Sequence, residues 1–168
     1  NISFSTGSKV ESTGAPLNFN ISMQTQSVGQ GAVVDLSGLT AITNGGDFTV
    51  SDHASYGGGA ALYLGPNTTI KTGVGHIALA GTTYKTNGAE DTVYGVRING
   101  ATLSTTDGDI SIQGTLKGNN AAVGSASRAV AVNPGTQIST AGSGNITITG
   151  TKPAGGSIHC TGKRASEF

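Results

Sequence analysis

The chain has 168 residues, 28 of them glycine, about 17% against a usual ~7%; apolar residues make up 35%, charged residues only 11%, and nine basic groups cancel nine acidic ones. That balance excludes nucleic-acid or anionic-membrane binding driven by bulk charge, and no run of ~18 apolar residues offers a membrane span. No basic segment leads into an apolar stretch at the start, so no signal peptide is predicted, and a single cysteine, Cys160, has no partner for an internal disulfide.

Abundant Gly, Ser, Thr and Asn is also the composition of disorder, but disorder does not predict apolar residues recurring in register. Ile2 and Phe4, Val10, then Leu17 and Phe19 mark three apolar stations along the first stretch, with Ile21 and Met23 continuing the last. The three stations return as Val34-Asp35-Leu36, Ile42 and Gly46-Asp47-Phe48-Thr49-Val50. They return again as Leu62-Tyr63-Leu64, Ile70 within Thr69-Ile70-Lys71-Thr72, and Gly75-His76-Ile77-Ala78-Leu79. Val96-Arg97-Ile98, Leu103 and Gly108-Asp109-Ile110-Ser111-Ile112 follow, and then Val130-Ala131-Val132, Ile138 and Gly144-Asn145-Ile146-Thr147-Ile148. Each station alternates like a short strand. Ile158 and Cys160 take the first place of a further circuit, and 163–168 reads as a tail.

Two of the three spacings are nearly fixed. Leu36 to Ile42, Leu64 to Ile70 and Val132 to Ile138 are each 6 residues, and Ile70 to Ile77 and Leu103 to Ile110 are each 7. The third is elastic: Val50 to Leu62 is 12, Leu79 to Val96 is 17 and Ile112 to Val130 is 18. Ala80-Gly81-Thr82, Gln113-Gly114-Thr115 and Thr149-Gly150-Thr151 place a glycine at one offset in three copies and punctuate the strands there. The pattern predicts an all-β fold, a parallel β-helix of about five coils of roughly 30 residues, with three short strands per coil and insertions at one corner. Right-handedness follows from the general bias of parallel crossovers. Residues 1–162 form one β-helical segment, read as a piece of a longer solenoid. Inward columns are expected from Phe19, Phe48, Ile77, Ile110 and Ile146, from Leu36, Leu64, Ile98 and Val132, and from Ile42, Ile70, Leu103 and Ile138.

β-Helices also carry polysaccharide-cleaving chemistry, which needs carboxylates gathered on an outer face. The outward residues Thr49, Ala78, Ser111 and Thr147 contain none. A second outward column, Asp35, Tyr63, Arg97, Ala131 and His159, sets Asp35 and Arg97 two coils, roughly 10 Å, apart. Asp47, His76, Asp109 and Asn145 share one corner position and should stack in a file; a cation between neighbours is weighed there against the ordinary role of Asp and Asn as turn residues, which is favoured. His53, His76 and His159 are scattered, and His159 and Cys160, adjacent in a strand, point to opposite faces. No catalytic residue, metal site or cofactor is predicted. The segments 80–95 and 113–129 hold the densest charge and aromatic content, and loops on a rigid scaffold carry recognition, so Tyr84, Lys85, Glu90, Asp91, Tyr94, Lys117 and Arg128 are the candidate ligand-contacting residues. Asn20-Ile21-Ser22, Asn67-Thr68-Thr69 and Asn145-Ile146-Thr147 match the glycosylation acceptor pattern, which arises freely in so Asn- and Thr-rich a chain.

The units from Ile70 to Thr82 and from Ile138 to Thr151 resemble the repeats of filamentous-haemagglutinin-like adhesins and related large bacterial exoproteins, over about residues 1–162. The resemblance implies a right-handed β-helix stalk exported across the outer membrane, often by two-partner secretion, and displayed on the bacterial surface or secreted. It implies attachment to host or neighbouring cells through protein or glycan. Open terminal coils add an expectation of end-to-end self-association into a fibre. The expected function is a non-catalytic structural and adhesive segment, with no nucleic-acid partner and no membrane insertion. The alternative is a fragment of a β-helical polysaccharide-processing enzyme, such as a lyase, a glycosidase or a phage-type depolymerase.

Overall fold

The computed structural model describes residues 1–22, 27–28, 34–51, 54–56, 59–85, 92–118 and 127–152. Among them the chain is all strand and no helix. The first circuit contributes β1 (Ile2–Ser3), β2 (Lys9–Glu11), β3 (Phe19–Ile21) and β4 (Ser27–Val28), and the second β5 (Val34–Asp35), β6 (Thr40–Ile42), β7 (Phe48–Val50) and β8 (Ala54–Tyr56). The third holds β9 (Gly59–Leu64), β10 (Thr69–Gly73) and β11 (Ile77–Lys85), the fourth β12 (Val93–Asn99), β13 (Thr102–Thr105) and β14 (Ile110–Gly118). β15 (Arg128–Asn133), β16 (Gln137–Thr140) and β17 (Ile146–Thr151) close the series.

Strands of successive circuits pair in parallel to give three sheets, β1-β5-β9-β12-β15 (sheet A), β2-β6-β10-β13-β16 (sheet B) and β3-β7-β11-β14-β17 (sheet C), with β4 and β8 joining sheet C alongside β11. The molecule is a parallel β-solenoid. Five strands per sheet are separated by four stacking steps, so the chain makes about four turns rather than five. Circuits are longer than the repeat suggests: Val34 pairs with Leu62, 28 residues on, but Leu62 with Val96 is 34 and Ile110 with Ile146 is 36.

The expected columns form the core. Phe48, Ile77 and Ile110 stack in register and are fully buried, as are Leu36, Leu64 and Ile98, with Ile70 and Leu103 closing the third side. Phe19 stacks on Phe48 with ring centroids 5.3 Å apart. Ile42 departs from the expectation. Sheet B aligns Val10, Ala41, Ile70, Leu103 and Ile138, so Ile42 pairs with Glu11 and Lys71 and stands half-buried on the other face. A one-residue slip reverses every side chain. The core stays filled because volumes are exchanged along the strand: this circuit carries the large Leu39 and the small Ala41, whereas the next two carry Thr68 then Ile70 and Ala101 then Leu103. Ile146 and Ile148 are in register with buried Ile110 and Ile112 but remain partly exposed, since β17 is the last described strand of its sheet.

The recurring glycines do not end the strands. β11 and β14 run on through Gly81 and Gly114 to Lys85 and Gly118, and β12 starts at Val93, so much of the expected loop content of 80–95 and 113–129 is strand. These glycines form a waist where sheets C and A meet. A Cβ on Gly81 would lie 2.5 Å from the Gly95 carbonyl oxygen, one on Gly95 would lie 2.6 Å from the Thr115 nitrogen, and one on Gly114 would overlap the Ala129 carbonyl. Only a residue without a side chain admits so close a backbone approach. Beyond the waist the two sheets continue as a narrow wing with its own small core of Val93, Leu116 and Ala129, flanked by buried Thr82 and Thr83.

Candidate functional site

Two polar constructions stand on this scaffold, one at the corner between sheets B and C and one on the outer faces of the wing. At the corner a buried threonine closes each turn: Thr43, Thr72, Thr105 and Thr140 each donate Oγ1 to the carbonyl of the glycine that starts the next strand, Thr72 to Gly75 at 2.6 Å and Thr105 to Gly108 at 2.5 Å. Outside these glycines the expected file forms, and it extends to Asn18. Asn18 Oδ1 accepts the Asp47 N–H at 2.9 Å, Asp47 Oδ1 the His76 N–H at 2.8 Å, His76 Nδ1 the Asp109 N–H at 3.0 Å and Asp109 Oδ1 the Asn145 N–H at 2.8 Å. His76 Nδ1 also lies 3.8 Å from Asp109 Oδ2. A nitrogen accepting the backbone proton at the shorter distance carries none itself, so the backbone bond decides the tautomer. The Asn145 backbone N–H, helped by its side-chain amide and by the neighbouring His76, holds the exposed Asp109 carboxyl below its ordinary value of 3.8. Each acid of the file is a carboxylate bracing the next coil. Among the described residues no group of three His, Cys, Asp or Glu side chains could hold a metal ion.

The other carboxylates with recorded hydrogen bonds are engaged in the same manner. Asp35 Oδ1 accepts from the Ser37 N–H at 2.8 Å and Ser37 Oγ at 2.5 Å, and Asp107 Oδ1 accepts from the Ser143 N–H at 3.1 Å. Asp35 and Arg97 do not meet: Tyr63 lies between them in the register of sheet A.

The candidate contact residues fall into two groups. On sheet C, Tyr84 is in register with Lys117, whose Nζ lies 3.3 Å from the Tyr84 hydroxyl and 5.3 Å from its ring centroid. Lys85 ends β11, opposite Gly118. On sheet A, Tyr94 is in register with Arg128 and stands beside Arg97, whose guanidinium carbon is 5.0 Å from the Tyr94 ring centroid and 5.6 Å from that of Tyr63. Asn99 Nδ2 donates to Tyr63 Oη at 3.4 Å, and Asn133 Nδ2 to Asn99 Oδ1 at 3.4 Å. Glu90, Asp91, His53, His159 and Cys160 lie outside the described residues. Sequence reasoning placed Tyr63 and Arg97 on one column but missed that Tyr94 joins them, because strand β12 was expected to begin at Val96. The alternation of Val93, Tyr94 and Gly95 was the available signal.

In comparisons with protein-family models, with curated proteins and with solved structures, the chain matches none. The β-solenoid class therefore rests on the strand pairing described above.

Proposed function

We propose that this chain is a non-catalytic stalk segment of a secreted bacterial surface protein, of the filamentous-haemagglutinin-like kind, which presents its outer sheet faces for attachment to cell surfaces. One observation carries the reading: the file carboxylates and Asp35 accept backbone N–H groups as structural braces. Acid–base cleavage of a glycosidic bond needs a carboxyl group able to hold a proton, often through a raised pKa, and the bonds on Asp109 act in the opposite direction. A continuous ladder of parallel strands around an apolar core suits a rod whose task is reach and rigidity.

The test is incubation of the folded chain with a panel of neutral and acidic polysaccharides. Beads coated with the chain are expected to attach to cell or glycan surfaces while the size distribution of every polysaccharide stays unchanged. Shortened chains or new reducing or unsaturated ends would return the fold to the polysaccharide-processing enzymes.

A further inference from the structure

Arg97 leaves β12 on the outer face of sheet A and is held by packing. Tyr63, its register partner one circuit earlier, and Tyr94, three residues back on its own strand, flank the guanidinium at 5.6 Å and 5.0 Å. Such bracketing removes rotamer freedom that a surface arginine ordinarily keeps, so a ligand would not have to order the side chain. Nε is buried with no acceptor. The Arg97 guanidinium has no hydrogen bond or ion pair among the described residues, and the nearest acid of its column, Asp35, is two rungs away and turned onto Ser37. The charge is preorganised and unanswered.

The surroundings narrow the chemistry. A guanidinium presents a planar fork that matches a carboxylate through two parallel N–H···O bonds, and its aromatic walls exclude water that would weaken them. Beside it the Tyr63 hydroxyl, the Asn99 amide and the Asn133 amide form a hydrogen-bonded row running along the rod, rung by rung at ~4.8 Å. Amides and phenols in a row suit successive hydroxyl groups of an extended chain. Polyphosphate chains of nucleic acid need many cations to replace their counterions, and this chain has a net charge of zero. We propose that this face binds a carboxylate-bearing saccharide, with the Arg97 Nη groups gripping the uronate carboxylate and Tyr63, Tyr94 and Asn99 meeting the sugar beside it. The proposal rests on the attachment reading above and supplies its ligand class and anchoring residue.

The experiment titrates the whole chain with a hexuronate tetrasaccharide, with the same tetrasaccharide after reduction of its carboxyls to alcohols, and with a sulfated neutral tetrasaccharide, following the Arg97 Nε–H and backbone resonances by NMR. The uronate is expected to shift the Arg97 Nε–H, to bind at least tenfold more tightly than the reduced and sulfated sugars, and to lose at least tenfold with Arg97→Gln. Arg97→Lys, which keeps the charge without the fork, is expected to bind more weakly than wild type and stands in should the Gln variant fail to fold. Equal binding of the reduced sugar, equal binding of the sulfated sugar, wild-type affinity in the variants, or no binding at all would each overturn the proposal. None of those outcomes touches the stalk reading, which falls only if the tetrasaccharide is cleaved.

Discussion

The corner between sheets B and C and the corner between sheets C and A turn the same chain around the same rod, yet one holds its length and the other absorbs every large insertion. From Ile70 to Ile77, Leu103 to Ile110 and Ile138 to Ile146 the first corner takes 7, 7 and 8 residues. Three stacked devices fix it: the threonine hydroxyl closing on the glycine carbonyl, the glycine lying against the carbonyl of the coil below, and the polar file outside. Each needs its group at one place, so an added residue breaks all three together. At the other corner the glycine waist seals the main core before the turn begins. Whatever follows is held by its own ladder and by Val93, Leu116 and Ala129, and its length is free. Constancy and variability along a repeat thus report where the core closes.

Substitutions can break or sharpen this contrast. Ile110→Ala removes a fully buried side chain from the main core and should cost about 4 kcal/mol in urea unfolding, whereas Leu116→Ala in the wing should cost about 2 kcal/mol; equal losses would mean that the wing is no looser than the body. Gly108→Ala drives a methyl into the Gly75 carbonyl and should cost about 3 kcal/mol, against less than about 0.5 kcal/mol for Gly14→Ala, where no atom lies within 4 Å. Thr105→Val keeps the shape but leaves the Gly108 carbonyl without its donor, and should lower stability by about 1.5 kcal/mol in the same assay.

The smallest effect concerns acid. The Asp109 carboxyl is held below its unfolded value of 3.8, so the stability it contributes is complete above about pH 4 and is lost as pH falls through the depressed folded value. Asp109→Asn keeps an oxygen acceptor for the Asn145 N–H but cannot titrate. Thermal unfolding followed from pH 6 to pH 2 should show a shallower acid decline for the variant than for wild type; superimposable profiles would remove Asp109 from the acid response.

Much of the architecture was legible because stacking imposes period on sequence. Phe48, Ile77 and Ile110 occupy the column that alternation assigned them, and Asp47, His76, Asp109 and Asn145 form the file expected from their shared offset. Ile42 was misplaced because an isoleucine outweighs an alanine in any hydrophobic pattern, while packing counts the pair Leu39 and Ala41 together. The waist was misread for a related reason. A glycine that ends a strand and a glycine that lets two strands touch look alike in one dimension, and only the facing Ala129 carbonyl distinguishes them. The Arg97 bracket needed a contact between circuits and an extension of β12 to Val93, of which only the first lay in the repeat.

The file of Asn18, Asp47, His76, Asp109 and Asn145 has a direction. In each step the earlier coil supplies the side-chain acceptor and the later coil brings the backbone donor. An acceptor already in place, with its own N–H tied to the coil before it, offers the arriving segment a fixed starting point for register. Growth from the amino-terminal side therefore proceeds against a prepared template, one turn at a time, while growth from the opposite side would have to recruit acceptors whose own strands are not yet set. A chain delivered in order from its amino end would wind onto itself like thread onto a spool, and the corner that never changes length would keep the count.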